Sequence, residues 1–162
     1  MKKLLSSIAS IATGVLTFVF LSIPCFVTKI TVAGVTTSES ASGWELLKEE
    51  ASIEGYTLFK IFAIVALIIA CLLIISGLIT LLQQLGIVKS KLNFCLINSI
   101  LLALYTISSV VAMIGVIIMG NKTSLEVLGQ SIASGVGIGI ILMLVVGAIA
   151  TIISFIFSRQ KK

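Results

Sequence analysis

Histidine and aspartate are absent from this chain of 162 residues, and only 10% of its residues are charged. An ordinary soluble domain carries about 25% charged residues. Without histidine, a serine or cysteine nucleophile would lack its usual base. We therefore expect a protein that is not an enzyme, that has no catalytic or metal site and that needs no cofactor.

Charge is missing altogether from four long stretches, which cover residues 4–28, 61–88, 92–121 and 127–158. Each exceeds the about 20 apolar residues with which a helix crosses a bilayer. The sequence therefore predicts an all-α membrane protein, a four-helix transmembrane bundle forming a single domain over residues 1–162. The predicted spans cover about 4–27, 58–83, 94–118 and 131–157.

No glutamate, lysine or arginine lies deep inside a predicted span. Ionisable residues at that depth usually mark proton relays, ion coupling and voltage sensing. Their absence argues against a secondary transporter, a proton-coupled pump and an intramembrane metalloprotease. The three cysteines fall within or at the ends of the spans, and we interpret them as small packing residues rather than as a disulfide scaffold.

Basic residues are distributed unevenly between the segments that join the spans. In the two termini and the second loop, all charged residues are basic; they are Lys2, Lys3, Lys89, Lys91, Arg159, Lys161 and Lys162. The positive-inside rule then predicts that the protein lies in the plasma membrane with its N and C termini in the cytoplasm. The net charge of +5 comes from basic residues that flank the spans, where they set the orientation in the membrane. We therefore expect the lipid bilayer as a partner and no nucleic acid. Abundant lysine and isoleucine suggest a bacterial source.

The first span also resembles the start of a signal peptide, since Lys2 and Lys3 precede an apolar run. That run extends to Val27, beyond the about 7–15 residues of a typical signal peptide. We expect the span to be retained. Cleavage after Ala33 is the alternative, and it would leave three spans.

The loop at 29–57 is the sizeable polar segment and is predicted to lie outside the cell. Residues 29–36 alternate and predict a short strand, followed by a connector over 37–42. Ser42 and Glu45 fit a capping box that starts a short helix over 43–53. Trp44, Glu45 and Glu49 are candidates for contact with a partner, although Trp44 alone would also suit packing of the loop onto the membrane interface.

Small residues recur every four positions in two spans, and such stripes let helix backbones approach closely. The stripes consist of Ser6, Ser10 and Gly14 in the first span and of Ser131, Gly135 and Gly139 in the fourth. They predict either packing inside one molecule or an oligomer seam.

The third span contains Asn98, Tyr105 and Ser109, which can share one helix face. Polar residues in a span favour hydrogen bonds to neighbouring helices. The alternative is a polar pore stripe in an oligomer. A pore would place these side chains on an oligomer axis, whereas packing would bury them within the monomer.

The layout resembles that of claudin-type proteins. Cytoplasmic termini, a short second outer loop and a large first outer loop with a strand before the residues Gly-Trp-Glu-Leu-Leu, 43–47, carry the likeness. Claudins have Gly-Leu-Trp and then two cysteines in that loop. Those cysteines are missing here, so the likeness implies the four-span arrangement without the disulfide or the paracellular role. The chain also resembles small bacterial four-span proteins with a first-loop Gly-Trp-[Asp/Glu]-Leu-Leu segment.

These patterns predict a non-enzymatic integral membrane protein that acts by association, as a scaffold, an accessory protein or a self-assembling subunit. Its partner would be a second copy or a larger membrane protein. The alternative is an oligomeric channel or a subunit of a membrane transport complex. Immunity to an extracellular peptide toxin is a third hypothesis.

Overall fold

A computed structural model of the chain describes residues 2–48, 55–89, 92–123, 125–127 and 130–159. Within these ranges, four long helices are each apolar enough to cross a membrane by length and composition. They are α1 (Lys2–Leu21), α3 (Tyr56–Gln84), α4 (Phe94–Thr123) and α5 (Ile138–Arg159), and a short helix, α2, covers Gly43–Lys48. The prediction of long apolar helices is confirmed.

The long helices pack as a bundle in which α1 contacts α3 and α5, and α4 contacts the same two helices. A short connection over residues 85–93 makes α3 and α4 antiparallel neighbours. The connection between α4 and α5 is longer and contains β3 and β4. The first predicted span is too long, because α1 ends at Leu21 and not near 27. The fourth predicted span begins too early, because α5 starts at Ile138 and not at 131.

The residues missing from those two helices belong to a sheet. Its described strands are β1 (Pro24–Val32), β2 (Val35–Ser42), β3 (Leu125–Val127) and β4 (Gln130–Val136). They are arranged in the order β2-β1-β4-β3, and each neighbouring pair is antiparallel. We call the end of the bundle that carries this sheet the sheet end, and the opposite end the far end.

Strand β1 starts earlier than the sequence predicts, and β2 replaces the predicted connector over 37–42. The two strands form a hairpin whose turn is Ala33-Gly34, with φ values of 51° and 82°. Two successive positive φ values match the right-handed twist of a hairpin, and glycine adopts them without steric cost.

The central pair of the sheet is formed by strands from opposite ends of the chain. Strand β1 pairs with β4 from Phe26↔Val136 to Val32↔Gln130, and the Gly137 amide donates to the Cys25 carbonyl at 2.8 Å. This pairing satisfies the backbone of residues 26–32 and 130–136 in a ladder, so neither segment needs to continue a helix. The all-α prediction is therefore corrected to a helical bundle with a sheet.

The predicted capping box at the start of α2 is confirmed. The backbone amide of Ser42 donates to Glu45 Oε2 at 2.7 Å, and the amide of Glu45 donates back to Ser42 Oγ at 3.3 Å. Helix α2 is described only to Lys48, and the remainder of the predicted helix, including Glu49, lies outside the described residues. Gly55 precedes α3 with a φ of 88°, a left-handed conformation that favours glycine.

Candidate functional site

The side chains of α1 are distributed in the reverse of the usual soluble pattern. Serine and threonine side chains face the interior and are at most 1% exposed; they are Ser6, Ser7, Ser10, Thr13 and Thr17. On the other face Ile8, Val15 and Val19 are each 50% exposed. In soluble proteins, aliphatic side chains are mostly buried and hydroxyl groups are mostly exposed. The helix is therefore suited to surroundings that are less polar than the interior of the bundle.

The buried hydroxyl groups hydrogen-bond within the bundle. The Ser154 hydroxyl of α5 lies 2.8 Å from that of Ser6 on α1 and 2.8 Å from that of Ser99 on α4. The Ser7 hydroxyl donates to the Gly77 carbonyl of α3. Interhelical hydrogen bonds of this kind hold helices together where a hydrophobic driving force is missing. Together these bonds connect α1, α3, α4 and α5.

The predicted polar stripe of α4 lies inside this network. Asn98 and Ser109 are fully buried, and Tyr105 is 1% exposed. The hydroxyl groups of Tyr105 and Thr17 are hydrogen-bonded at 2.8 Å, and the Asn98 amide donates to Thr80 Oγ1 at 3.1 Å. Ser109 donates to the Tyr105 carbonyl of its own helix at 3.0 Å. Asn98 and Tyr105 therefore bond to neighbouring helices of the same molecule, and all three side chains are buried inside it.

Several members of the network were not predicted from the sequence, in particular Thr80, Ser99 and Ser154. Isolated hydroxyl residues in an apolar run carry little information on their own. The available signal was the spacing of α1, in which Ser6, Ser10, Thr13 and Thr17 recur every three or four residues. That spacing indicates one polar face, which must meet polar groups on the helices it contacts.

The first small-residue stripe packs inside the molecule. Ser6 and Ser10 belong to the buried network, and Gly14 faces α3 so closely that a Cβ atom there would lie 2.7 Å from the Ala70 carbonyl oxygen. Gly77 of α3 makes a similar contact with α1, because its Cβ would lie 2.7 Å from the Ile11 side chain. These residues form a close contact between α1 and α3.

The second stripe is not a helix face, and this prediction is wrong. Ser131 and Gly135 belong to β4, where Ser131 pairs with Thr31 and Gly135 with Val27. Only Gly139 is helical, and a Cβ on it would lie 2.6 Å from the Phe20 carbonyl oxygen of α1. The Gly-x-x-x-Gly spacing therefore crosses the junction between a strand and a helix.

In the segment between α1 and α3, Trp44 contacts the sheet end of α1. Its indole Nε1 donates to Ser22 Oγ at 3.2 Å, and its ring stacks on Phe18 with 6.3 Å between centroids. Phe18 is itself 36% exposed, so the two rings form an aromatic pair on the outside of the bundle. Such aromatic residues suit the interface between membrane and water.

Glu45 is exposed, but its carboxylate is engaged by the capping box. Hydrogen bonds from the backbone and the side chain of Ser42 lower the pKa of Glu45. Helix α2 is held against α3 by Tyr56, whose hydroxyl donates to the Leu46 carbonyl at 2.6 Å. The candidate contact residues Trp44 and Glu45 thus have structural roles at the junction between the sheet and the bundle.

Burial lowers the reactivity of one of the three thiols, that of Cys25. Cys25, Cys71 and Cys95 are all free, and burial raises the pKa of the Cys25 thiol to about 11. A thiol with that pKa is almost entirely protonated at neutral pH and is a poor nucleophile. Within the described part of the chain, no group of three or more acidic, histidine or cysteine side chains could hold a metal ion.

The exposed surface at the sheet end is dominated by the hairpin. Residues 35–40 of β2 are all exposed, and Val35 at the turn is 68% exposed. Strand β2 lies at one edge of the sheet, because the strand order places β1 on one side of it only. An edge strand presents backbone amide and carbonyl groups that can pair with another chain. No protein-family model and no curated protein matches this chain.

Proposed function

We propose that this protein is an integral membrane protein in which α1, α3, α4 and α5 span the bilayer. The observation that carries the proposal is the reversed distribution of side chains, with hydroxyl groups inside and aliphatic groups outside. The exposed aliphatic surface continues on the other helices, for example at Ile68, Ile107 and Ile152, which are 57%, 58% and 59% exposed. In water this surface would drive aggregation, whereas lipid chains solvate it.

The proposed orientation has the far end in the cytoplasm and the sheet outside the cell. The far end carries the start of α1, the loop between α3 and α4, and the end of α5. All charged residues in those segments are basic. The positive-inside rule favours this orientation, with both termini in the cytoplasm of a bacterial cell and the bundle in its plasma membrane.

The protein acts by association through its sheet at the outer face of the membrane. The buried hydroxyl groups of the network hydrogen-bond inside one chain, and the close glycine contacts also lie inside it. The edge strand β2 is therefore the surface best suited to a partner. Addition of a strand to an exposed sheet edge is a common mode of recognition. The partner is a second copy of the chain or a larger membrane protein, and the protein serves as a scaffold, an accessory protein or a self-assembling subunit.

The claudin-type layout remains part of this proposal. A bundle whose sheet lies at one end agrees with the expectation of cytoplasmic termini and a structured outer loop. The paracellular function of claudins is not carried over. Fold-level analogy of this kind indicates an architecture and not an activity.

The test is the mass of the intact protein in nanodiscs, with co-purifying chains identified by mass spectrometry. We expect a discrete homo-oligomer or a stoichiometric second protein. Val35→Ser in the hairpin should weaken that assembly. Ile87→Ser is the matched control, because Ile87 is also 68% exposed but lies at the far end. A monomer without a companion would contradict the proposal.

The alternative function is an oligomeric channel, which the polar residues of α4 suggested. It requires Asn98, Tyr105 and Ser109 to face water on a shared axis. Their burial inside a single chain supports association instead. Cysteine variants at these positions should be protected from water-soluble thiol reagents in membranes. Rapid labelling at all three positions, together with conductance of the reconstituted protein, would favour the channel.

A further inference from the structure

Two buried side-chain atoms near the far end of the bundle have no hydrogen-bond partner among the described residues. One is the carbonyl oxygen Oδ1 of Asn98, a fully buried residue of α4. The other is the amide nitrogen Nε2 of Gln84, the last residue of α3. Buried polar groups in folded proteins nearly always have a partner, either a protein group or an ordered water. A partner for these two atoms is therefore expected.

The fold brings the two amides toward each other. Asn98 donates through Nδ2 to Thr80 Oγ1 at 3.1 Å, which fixes the level of Asn98 against α3. Gln84 follows Thr80 by four residues and so lies on the same face of α3, one turn closer to the far end. Side chains lean toward the N-terminus of their helix. Because α3 and α4 are antiparallel, Gln84 leans toward Thr80 while Asn98 leans toward the level of Gln84.

The two orphaned atoms have opposite hydrogen-bonding characters. Asn98 Oδ1 can only accept a hydrogen bond, and Gln84 Nε2 can only donate one. The nearby Thr80 hydroxyl cannot donate to Asn98 Oδ1, because its proton is already donated to the Ser76 carbonyl at 2.7 Å. A single partner that serves both atoms would have to accept from Gln84 and donate to Asn98. Water is the smallest molecule that does both, whereas a metal cation could not accept from Gln84.

We infer that a buried water molecule bridges Gln84 and Asn98 between α3 and α4. It accepts a hydrogen bond from Gln84 Nε2 and donates one to Asn98 Oδ1. The site reaches the solvent through Gln84, which is only half-buried at the end of its helix. The water therefore exchanges from the far end of the bundle. This inference rests on the packing of α3 against α4 and does not depend on the proposed function.

The test is magnetic resonance of the full chain in deuterated nanodiscs with 15N-labelled asparagine. The sequence has only Asn93, Asn98 and Asn121, so the side-chain amide of Asn98 is readily distinguished. We expect a nuclear Overhauser effect between the Asn98 amide protons and water in the wild-type protein. A soluble paramagnetic agent should not broaden this amide signal, because Asn98 is fully buried.

Gln84→Met removes the amide that holds the water while keeping a side chain of similar length, and it should abolish or strongly reduce the water signal at Asn98. Gln83→Met is the matched control and should leave the signal unchanged. A wild-type protein without the signal would overturn the inference, as would a signal that persists in Gln84→Met. A direct contact between the amides of Gln84 and Asn98 would overturn it too.

One further control concerns the hydroxyl group of Thr80, whose exchange with water could imitate a bound water molecule. In Thr80→Val that hydroxyl is absent, and the bridge to Gln84 should still give the water signal at Asn98. Loss of the signal in Thr80→Val with its retention in Gln84→Met would assign the effect to the hydroxyl group and refute the bridge.

Discussion

Gly135 and Gly139 are spaced as a helix seam, but the structure gives them different surroundings. A Cβ atom on Gly139 would lie 2.6 Å from the Phe20 carbonyl oxygen and 2.9 Å from that of Ile23. A Cβ atom on Gly135 would have no atom within 4 Å. We therefore predict that Gly139→Ala destabilises the protein and that Gly135→Ala does not.

The expected magnitude follows from the atoms that the new methyl group would meet. At Gly139 they are backbone atoms at the junction of α1 and β1, so relief requires the start of α5 to move. Forcing one extra carbon into a packed interior costs about 1–3 kcal/mol. At Gly135 the space is open and the residue has no positive φ, so alanine should be neutral or should stabilise by up to about 1 kcal/mol through the unfolded chain.

The assay is equilibrium unfolding in mixed micelles of a mild detergent and dodecyl sulfate. Fluorescence of Trp44, the single tryptophan, reports on the junction between sheet and bundle. The oligomeric state of both variants should equal that of the wild type. Equal destabilisation by the two substitutions, or a change of oligomeric state in both, would restore the helix seam and refute the strand assignment of Gly135.

Three further predictions concern single side chains. Tyr105→Phe removes the hydrogen bond to Thr17 and should lower the free energy of unfolding by about 0.5–1.5 kcal/mol, measured in the same micelles, whereas no loss would show that the bond contributes nothing. Hydrogen bonds from Ser42 lower the pKa of Glu45 in the folded state, so the contribution of Glu45 to stability is complete above its unfolded pKa and is lost as the pH falls through its folded pKa. A Trp44 fluorescence titration from pH 6 to about pH 3 should show this loss of stability. The Glu45→Gln variant should show a smaller change over the same range. Cys71 is exposed near the middle of α3, and a maleimide reacts with a thiolate, which forms in contact with water. A charged maleimide should therefore modify Cys71 only after the protein is unfolded in dodecyl sulfate, and its rapid reaction with Cys71 in intact membranes would contradict a lipid-facing α3.

The positions of the helices could be predicted because the signal is local. An uncharged apolar run longer than a bilayer is thick leaves few alternatives to a helix, and the central spans were correct within a few residues at their far ends. The capping box of Ser42 and Glu45 was equally local, since both partners lie within one turn. The burial of the hydroxyl face of α1 could also be anticipated, because its serine and threonine residues recur every three or four positions.

The sheet could not be predicted in the same way, because its central pair joins Phe26 to Val136. A short apolar run such as 24–27 is compatible with a helix or a strand, and its neighbours in sequence do not decide between them. The partner strand decides, and it lies near the other end of the chain. The same reason explains the error at Gly135, because a residue without a side chain fits either a close helix contact or a strand.

The pairing of β1 with β4 also has a consequence for biogenesis. Strand β1 follows α1 and is synthesised well before β4, which immediately precedes α5. During translation β1 and β2 can form only a hairpin, and an isolated hairpin is at best marginally stable. The sheet is completed only when α5 has been made, because β4 is fixed in place by the start of that helix. Closure of the sheet therefore depends on the synthesis of α5, and a chain that stops before α5 would leave the hairpin of β1 and β2 unpaired with β4.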